Sequence, residues 1–189
     1  MLTFDEVEVR LQDRIRAARV IAIDGLPLSG KSTLADRLAS SFDLEVLGFD
    51  GFVLPRNMRP QGLGPGFPFP FFRVEEFRQV VRSVGRGESA SYRAYDWRTG
   101  RIGRSPTLIA PRRGIIVEGC STLDPELVHL FDLRLFVESD AASLMQARSA
   151  RDGHSDEDNW RDLYLPSVAL YMETRPQARA DFIIGGRGL

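Results

Sequence analysis

VIAIDGLPLSGKST, residues 20 to 33, joins a short apolar run to a glycine-containing turn. Residues 20–23 have the continuous apolar character of a strand that is buried on both faces of a parallel sheet. Residues 25–32 fit the pattern G-x-x-x-x-G-K-[ST], in which backbone N–H groups turn inward around phosphate oxygens. A helix beginning near Lys31 would direct its positive N-terminal end at the same oxygens. The stretch therefore predicts a strand, a phosphate-binding loop and a helix.

The lysine of this loop stands out against the rest of the chain. Of 25 basic residues only Lys31 is a lysine, and all the others are arginines. A compact ammonium fits among phosphates where the broad guanidinium fork does not, so this lysine supports nucleotide binding. Lys31 is expected to reach the β- and γ-phosphates, and Ser32 to bind Mg²⁺. The predicted nucleotide-binding residues are Gly25, Pro27, Leu28, Ser29, Gly30, Lys31, Ser32 and Thr33.

The composition is that of a globular domain, with 43% hydrophobic and 27% charged residues in a chain of 189. A formal net charge of -1 argues against nucleic acid or an anionic membrane as the main partner. Cys120 is the only cysteine, which excludes an intrachain disulfide, and the first residues lack the apolar core of a signal peptide. We expect a single cytoplasmic domain over residues 1–189.

Periodicity predicts an alternation of helices and strands. Apolar residues at helical spacing predict helices over residues 4–18, 31–41 and 74–84, and another helix from residue 140 onward. Apolar runs predict further strands over residues 44–49, 114–119, 133–137 and 180–184. Residues 160–173 are helical in pattern but contain Pro166, which predicts a kink or two short helices. Five buried strands alternating with helices imply a parallel sheet that is covered on both faces.

Two segments lack this periodicity. Residues 51–72 are rich in proline, glycine and phenylalanine, which predicts a long loop that either covers a substrate or wraps the core. Residues 86–113 are expected to be irregular. They contain Tyr95 and Asp96 with Arg101 nearby, which together could bind a phosphoryl acceptor or could anchor a loop.

Two carboxylates are expected at the edge of the sheet where ligands bind in open α/β folds. Asp50 follows the second predicted strand, where it could accept the proton of an attacking hydroxyl or could form a turn. Glu118 ends the third strand, where it could meet Mg²⁺ or could be an exposed residue at a strand end. Arg148 and Arg151 share one helix face within a predicted lid over residues 145–160, which could grip phosphate or be solvated.

The order of these parts resembles the uridine kinase, pantothenate kinase and phosphoribulokinase group of P-loop kinases over residues 19–184. The resemblance is carried by the loop, by Asp50-Gly51-Phe52, by Tyr95-Asp96, by Val117-Glu118-Gly119 and by residues 148–152. It implies a P-loop NTPase three-layer α/β sandwich with a five-stranded parallel sheet and a helical lid. It also implies ATP and Mg²⁺ as cofactors, and often a dimer. Asp50 would be the base, Arg148 and Arg151 the lid arginines, and Phe52 part of the substrate site.

The leading hypothesis is an ATP-dependent kinase that phosphorylates a hydroxyl of a nucleoside, sugar or pantothenate-type metabolite. An N-K-x-D stretch for reading guanine is absent from the sequence, which argues against an ordinary GTPase. Two alternatives stay open: a nucleotide-dependent regulator or binding module without an acceptor site, and a nucleotide or nucleoside-monophosphate kinase.

Overall fold

The computed structural model describes residues 1–110, 113–150 and 159–189. In chain order its strands are β1 (Val20–Gly25), β2 (Glu45–Gly48), β3 (Ala90–Tyr92), β4 (Tyr95–Asp96), β5 (Arg101–Ile102), β6 (Thr107–Ile109), β7 (Ile115–Glu118), β8 (Leu133–Glu138) and β9 (Phe182–Gly185). Its α-helices are α1 (Phe4–Arg10), α2 (Gln12–Ala17), α3 (Lys31–Phe42), α4 (Val74–Gly85), α5 (Ala141–Ser149) and α6 (Leu165–Glu173).

A five-stranded sheet in the order β2-β7-β1-β8-β9 forms the centre of the molecule, and every pair in it is parallel. Successive side chains of β1 point to opposite faces of the sheet. Ile21 and Ile23 join a core cluster with α1, α2 and α3, whereas Val20 and Ala22 join a second cluster with α4 and α6. The predicted α/β three-layer fold with a five-stranded parallel sheet is therefore confirmed.

The N-terminal helix is divided, whereas the sequence predicted one helix over residues 4–18. Leu11 has φ -107° and ψ 7°, which interrupts the helix between α1 and α2. The hydrogen bonds on either side remain, since Leu11 N donates to Val7 O and Ile15 N donates to Leu11 O. Val7, Leu11 and Ile15 all stay buried, so the division does not expose the apolar face.

Residues 86–113 were predicted to be irregular, and this expectation was wrong where four short strands form. Strand β3 pairs antiparallel with β6, and β4 pairs antiparallel with β5. Each of these strands has only two or three residues, too few for the alternation of apolar and polar residues to be recognised.

The segment from Val53 to Phe72, which we call the strap, is the long loop that the sequence predicted. Its ends are joined by an antiparallel bridge between Val53 and Phe72 and by a hydrogen bond of 2.9 Å from Leu54 N to Phe71 O. Phe69 and Phe71 are buried in the core cluster that lies over α4. The strap thus packs on the core along part of its length.

The helical segment that contains Pro166 has two parts, as predicted. Residues Trp160–Tyr164 form a π-helical turn, and α6 follows directly. Proline lacks an N–H and crowds the carbonyl four residues earlier, which accounts for the change of helix type just before it. No helix in the described parts of the chain is long and apolar enough to cross a membrane.

Candidate active site

A cavity of about 620 Å³ lies at the carboxyl ends of β1, β2 and β7. The phosphate loop, the turn after β2, the strap, the β4–β5 hairpin, α5 and the π-helical turn all contribute to its wall. The predicted site residues that line it are Pro27, Leu28, Gly30, Lys31, Ser32, Thr33, Asp50, Tyr95, Glu118 and Arg148. The fold therefore brings both candidate carboxylates and the phosphate loop to one space.

The phosphate loop has the backbone that its sequence requires. Gly25 has φ +149°, and a Cβ there would lie 2.3 Å from Val137 O, so this position needs glycine. Gly30 is the N-cap of α3, which places the start of that helix at the loop. Lys31 Nζ donates to Leu26 O at 2.8 Å, and this bond uses one of the three ammonium hydrogens. Ser29 is a buried residue of the loop, and neither it nor Gly25 lines the cavity.

Ser32 and Glu118 form a pair of oxygen donors. Ser32 Oγ donates to Glu118 Oε2 at 3.3 Å across the gap between α3 and β7. Burial raises the pKa of Glu118; the Lys31 charge opposes that rise, and the Asp50 charge adds to it. Hydroxyl and carboxylate oxygens at this separation are the ligands that Mg²⁺ prefers, so both fit the predicted metal site.

Asp50 lies in a 3₁₀ turn, Phe49–Phe52, that directly follows β2. Residues i and i+3 of a 3₁₀ turn share one face, so Phe49 and Phe52 both point inward. Asp50 is exposed and lines the cavity. Phe52 is fully buried, with its ring centroid 4.4 Å from that of Tyr92, and it does not line the cavity. The structure thus places Phe52 in the core, away from the predicted substrate site.

The β4–β5 hairpin divides the acceptor residues that the sequence predicted. Tyr95 lines the cavity beside Trp97, with 4.9 Å between their ring centroids. Asp96 instead closes the hairpin, since its Oδ1 accepts hydrogen bonds from the backbone N–H groups of Arg98 and Thr99. Arg101 is exposed on β5 and does not line the cavity.

Arg148 projects from α5 into the cavity wall. Its guanidinium carbon lies 4.6 Å from the ring centroid of Trp160, a cation–π contact. None of the residues of α5 is buried, which suits a helix that can move over a ligand. Arg151, the second predicted lid arginine, lies outside the described residues.

Sequence reasoning missed a buried carboxylate at the start of the phosphate loop. Asp24 is fully buried and accepts hydrogen bonds from the N–H groups of Gly25, Ser121 and Leu123 and from the Tyr171 hydroxyl. Burial raises the pKa of Asp24, and the bond from Tyr171 opposes that rise. Asp24 therefore joins β1, the loop after β7 and α6 at the start of the phosphate loop. Its position at the end of an apolar strand was a usable signal.

Three cavity arginines were also missed. Arg187 follows β9, and its Nε donates to Leu28 O at 2.8 Å, which holds it against the phosphate loop. The Gly-Gly-Arg-Gly stretch after the last parallel strand could have indicated it, because the carboxyl ends of parallel strands share one edge. Arg56 and Arg59 come from the strap. No sequence pattern indicated that these two arginines would line the cavity, because their position depends on how the strap folds back onto the rest of the chain.

Comparison of the whole fold finds similar solved structures. A possible uridine kinase from Bacillus stearothermophilus has a TM-score of 0.65 and 21% identity, with 93% of this chain and 99% of that chain covered. A proposed fructose transport system kinase from Silicibacter sp. TM1040 has a TM-score of 0.69 and 21% identity, with 98% and 99% covered. A proposed P-loop kinase with a circular permutation, from Saccharomyces cerevisiae, has a TM-score of 0.58 and 13% identity, with 98% of each chain covered.

No protein-family model matches the chain. TM-scores of 0.58 to 0.69 over nearly the whole length establish a common fold, whereas identities of 13 to 21% establish nothing beyond it. A fold hosts many functions, so the chemistry has to be argued from the site itself. The chain has the fold of the P-loop kinases.

Proposed function

We propose that this chain is an ATP-dependent kinase that transfers the γ-phosphate to a hydroxyl of a small metabolite. One observation carries the proposal: Asp50, Lys31 and the Ser32–Glu118 pair line a single cavity. That cavity also has an aromatic wall from the strap and the π-helical turn, which offers surface for an acceptor beside the phosphate loop.

Each residue has a chemical task in this proposal. Lys31 and the N–H groups at the start of α3 would hold the β- and γ-phosphates. Ser32 and Glu118 would hold Mg²⁺, which neutralises phosphate charge when bound. Arg148 would contact the transferring group as α5 closes over the cavity.

Asp50 would act as the base that accepts the proton of the acceptor hydroxyl. The hydroxyl oxygen forms a bond to the γ-phosphorus while the bond from that phosphorus to the bridging oxygen of ADP breaks. The hydroxyl proton passes to the Asp50 carboxylate, which is exposed to the cavity and therefore within reach of a bound alcohol.

The test is Asp50→Asn, with Asp13→Asn as a matched control on the exposed surface of α2. Phosphorylated product and ADP would be measured with Mg-ATP and a panel of nucleosides, sugars and hydroxy acids. We expect Asp50→Asn to lose about a hundredfold or more in turnover and to keep its ATP affinity, and Asp13→Asn to match the parent.

Three results would oppose the proposal. Normal turnover of Asp50→Asn would show that Asp50 is not the catalytic base. If no acceptor raised ADP release above background while Lys31-dependent ATP binding persisted, the nucleotide-dependent regulator would be the better description. Activity with phosphorylated acceptors alone would favour a nucleotide or nucleoside-monophosphate kinase.

A further inference from the structure

The cavity contains more positive charge than the phosphate loop and lid account for. Within the described residues its wall has five cationic side chains and two carboxylates. Lys31 belongs to the phosphate loop, Arg148 to the lid helix, and Arg187 is bonded to the loop carbonyl of Leu28. Arg56 and Arg59 belong to neither, because the strap carries them.

Arg59 is a fixed part of the wall. Its Nε donates to Leu54 O at 3.0 Å, and its Nη2 donates to the Tyr164 hydroxyl at 3.1 Å. The guanidinium carbon also lies 5.7 Å from the Tyr164 ring centroid. These two bonds use two of the five guanidinium hydrogens and set the plane of the group. A guanidinium that is oriented in advance loses less side-chain entropy when it binds an anion.

Arg59 and Arg148 lie at opposite ends of a row of rings. Arg148 contacts Trp160, the Trp160 and Tyr164 centroids are 6.2 Å apart, and Tyr164 contacts Arg59. Two aromatic side chains therefore separate the two guanidinium groups. The proposed function uses Arg148 for the transferring phosphoryl group, and Arg59, at the other end of the row, is then left for a second anionic group.

The surface between these ends is aromatic. Phe71 lies 4.6 Å from Tyr164 by ring centroids, and Phe72 stacks on Phe49 at 4.1 Å, with all four rings on the cavity wall. Phe49 and Phe71 are buried in this wall, whereas Phe72 and Tyr164 are partly exposed, and flat apolar groups stack well on such rings. Asp50 lines the same cavity, so a ligand that carries a hydroxyl can bind here and share the cavity with this carboxylate.

We propose that the acceptor is an anion: a hydroxyl compound with an aromatic or apolar body whose carboxylate or phosphate is bound by Arg59. This inference rests on the proposed kinase function and adds the chemical class of the substrate. Arg59 is the residue that selects the acceptor by charge, and the rings of the strap and the π-helical turn hold its body.

The test measures binding and turnover separately. Protein saturated with a non-hydrolysable ATP analogue and Mg²⁺ is titrated with para-hydroxymethylbenzoate and with its neutral isostere para-hydroxymethylbenzamide. A second pair, para-hydroxymethylphenyl phosphate and para-hydroxymethylanisole, distinguishes a phosphate from a carboxylate. We expect the better anion to bind at least about tenfold more tightly than its neutral partner, as for a charge-assisted hydrogen bond.

Variants assign that preference to Arg59. Arg59→Met keeps the aliphatic stem over Tyr164 and should reduce the preference to about unity, whereas Arg59→Lys should keep part of it. Arg86→Met is the control and should behave as the parent, because Arg86 is exposed just after the end of α4, is paired with Glu88 and does not line the cavity. None of these changes should alter the affinity for the ATP analogue.

Each outcome decides a different point. Equal binding of both members of each pair, or no binding of either anion, overturns the anionic acceptor. A loss of affinity for the ATP analogue in Arg59→Met makes Arg59 a donor-phosphate residue and also overturns it. If the anions bind through Arg59 but Mg-ATP yields no phosphorylated product, the kinase proposal fails while the anion site stands.

Discussion

At the scale of single residues, the buried Asp24 carboxyl is expected to make the free energy of unfolding depend on pH. Its raised pKa means that the folded state holds the proton more tightly than the unfolded chain does. The group therefore adds stability below its unfolded pKa of about 3.9, and this contribution is lost as pH rises through the folded pKa. We expect the parent to gain in free energy of unfolding relative to Asp24→Asn as pH falls from neutral towards about 4.

Urea unfolding of both proteins at several pH values measures this difference. Asp13→Asn, which changes an exposed carboxyl on α2, is the control for the loss of one carboxyl group. A constant offset between Asp24→Asn and the parent over this pH range would mean that burial does not govern the Asp24 carboxyl.

Lys31 gives a second prediction at this scale. Its ammonium is the only one on a side chain and lies beside the loop carbonyl of Leu26. Lys31→Ala should weaken ATP binding by about ten- to a hundredfold, the usual effect of one or two charge-assisted hydrogen bonds. Lys31→Arg should restore little of the loss, because the guanidinium is broader than the space among the phosphates. Isothermal titration with Mg-ATP gives both values, and normal affinity of Lys31→Ala would contradict the assignment of the loop.

At the scale of elements, the loop after β9 supports the phosphate loop from the side. A Cβ on Gly186 would lie 2.5 Å from Ser29 O and 2.4 Å from Ser139 Oγ, so Gly186→Ala has to displace one of the two segments. We expect this variant to lose about 1 to 3 kcal/mol of stability, typical of overpacking, and to bind ATP less tightly.

Gly64→Ala is the matched control for this prediction, since a Cβ there would meet nothing within 4 Å. It should keep both the stability and the ATP affinity of the parent. Thermal unfolding and nucleotide titration of the two alanine variants make the comparison. Equal behaviour of both would show that the loop after β9 moves without cost to the site.

At the scale of the whole molecule, both core clusters share the one central sheet. We expect a single cooperative unfolding transition, and a shift of that transition to higher temperature when nucleotide binds only the folded state. Mg-ATP at about a hundredfold excess over its Kd should add about 2.7 kcal/mol. Differential scanning calorimetry checks both points. The Lys31→Ala variant should show a much smaller shift at the same nucleotide concentration.

Much of the sheet and the phosphate loop could be predicted because both depend on local patterns. The strand before the loop is an apolar run, and the loop needs glycine at positions such as Gly25, where a side chain would meet Val137 O. The short strands β3 to β6 could not be predicted, since two or three residues carry no measurable period. The break at Leu11 could not be predicted either, because the helical hydrogen bonds continue on both sides of it.

By itself, the sequence determined the parallel α/β sheet, the phosphate loop with its single lysine, and the carboxylates at the ends of β2 and β7. These features follow from runs and motifs of a few neighbouring residues. Only the tertiary structure decided which side chains share the cavity: it buried Phe52 and brought Arg59 and Arg187 to the wall. The physical reason is that those positions depend on contacts between segments far apart in the chain, as between Arg59 and Tyr164, and local patterns do not encode such contacts.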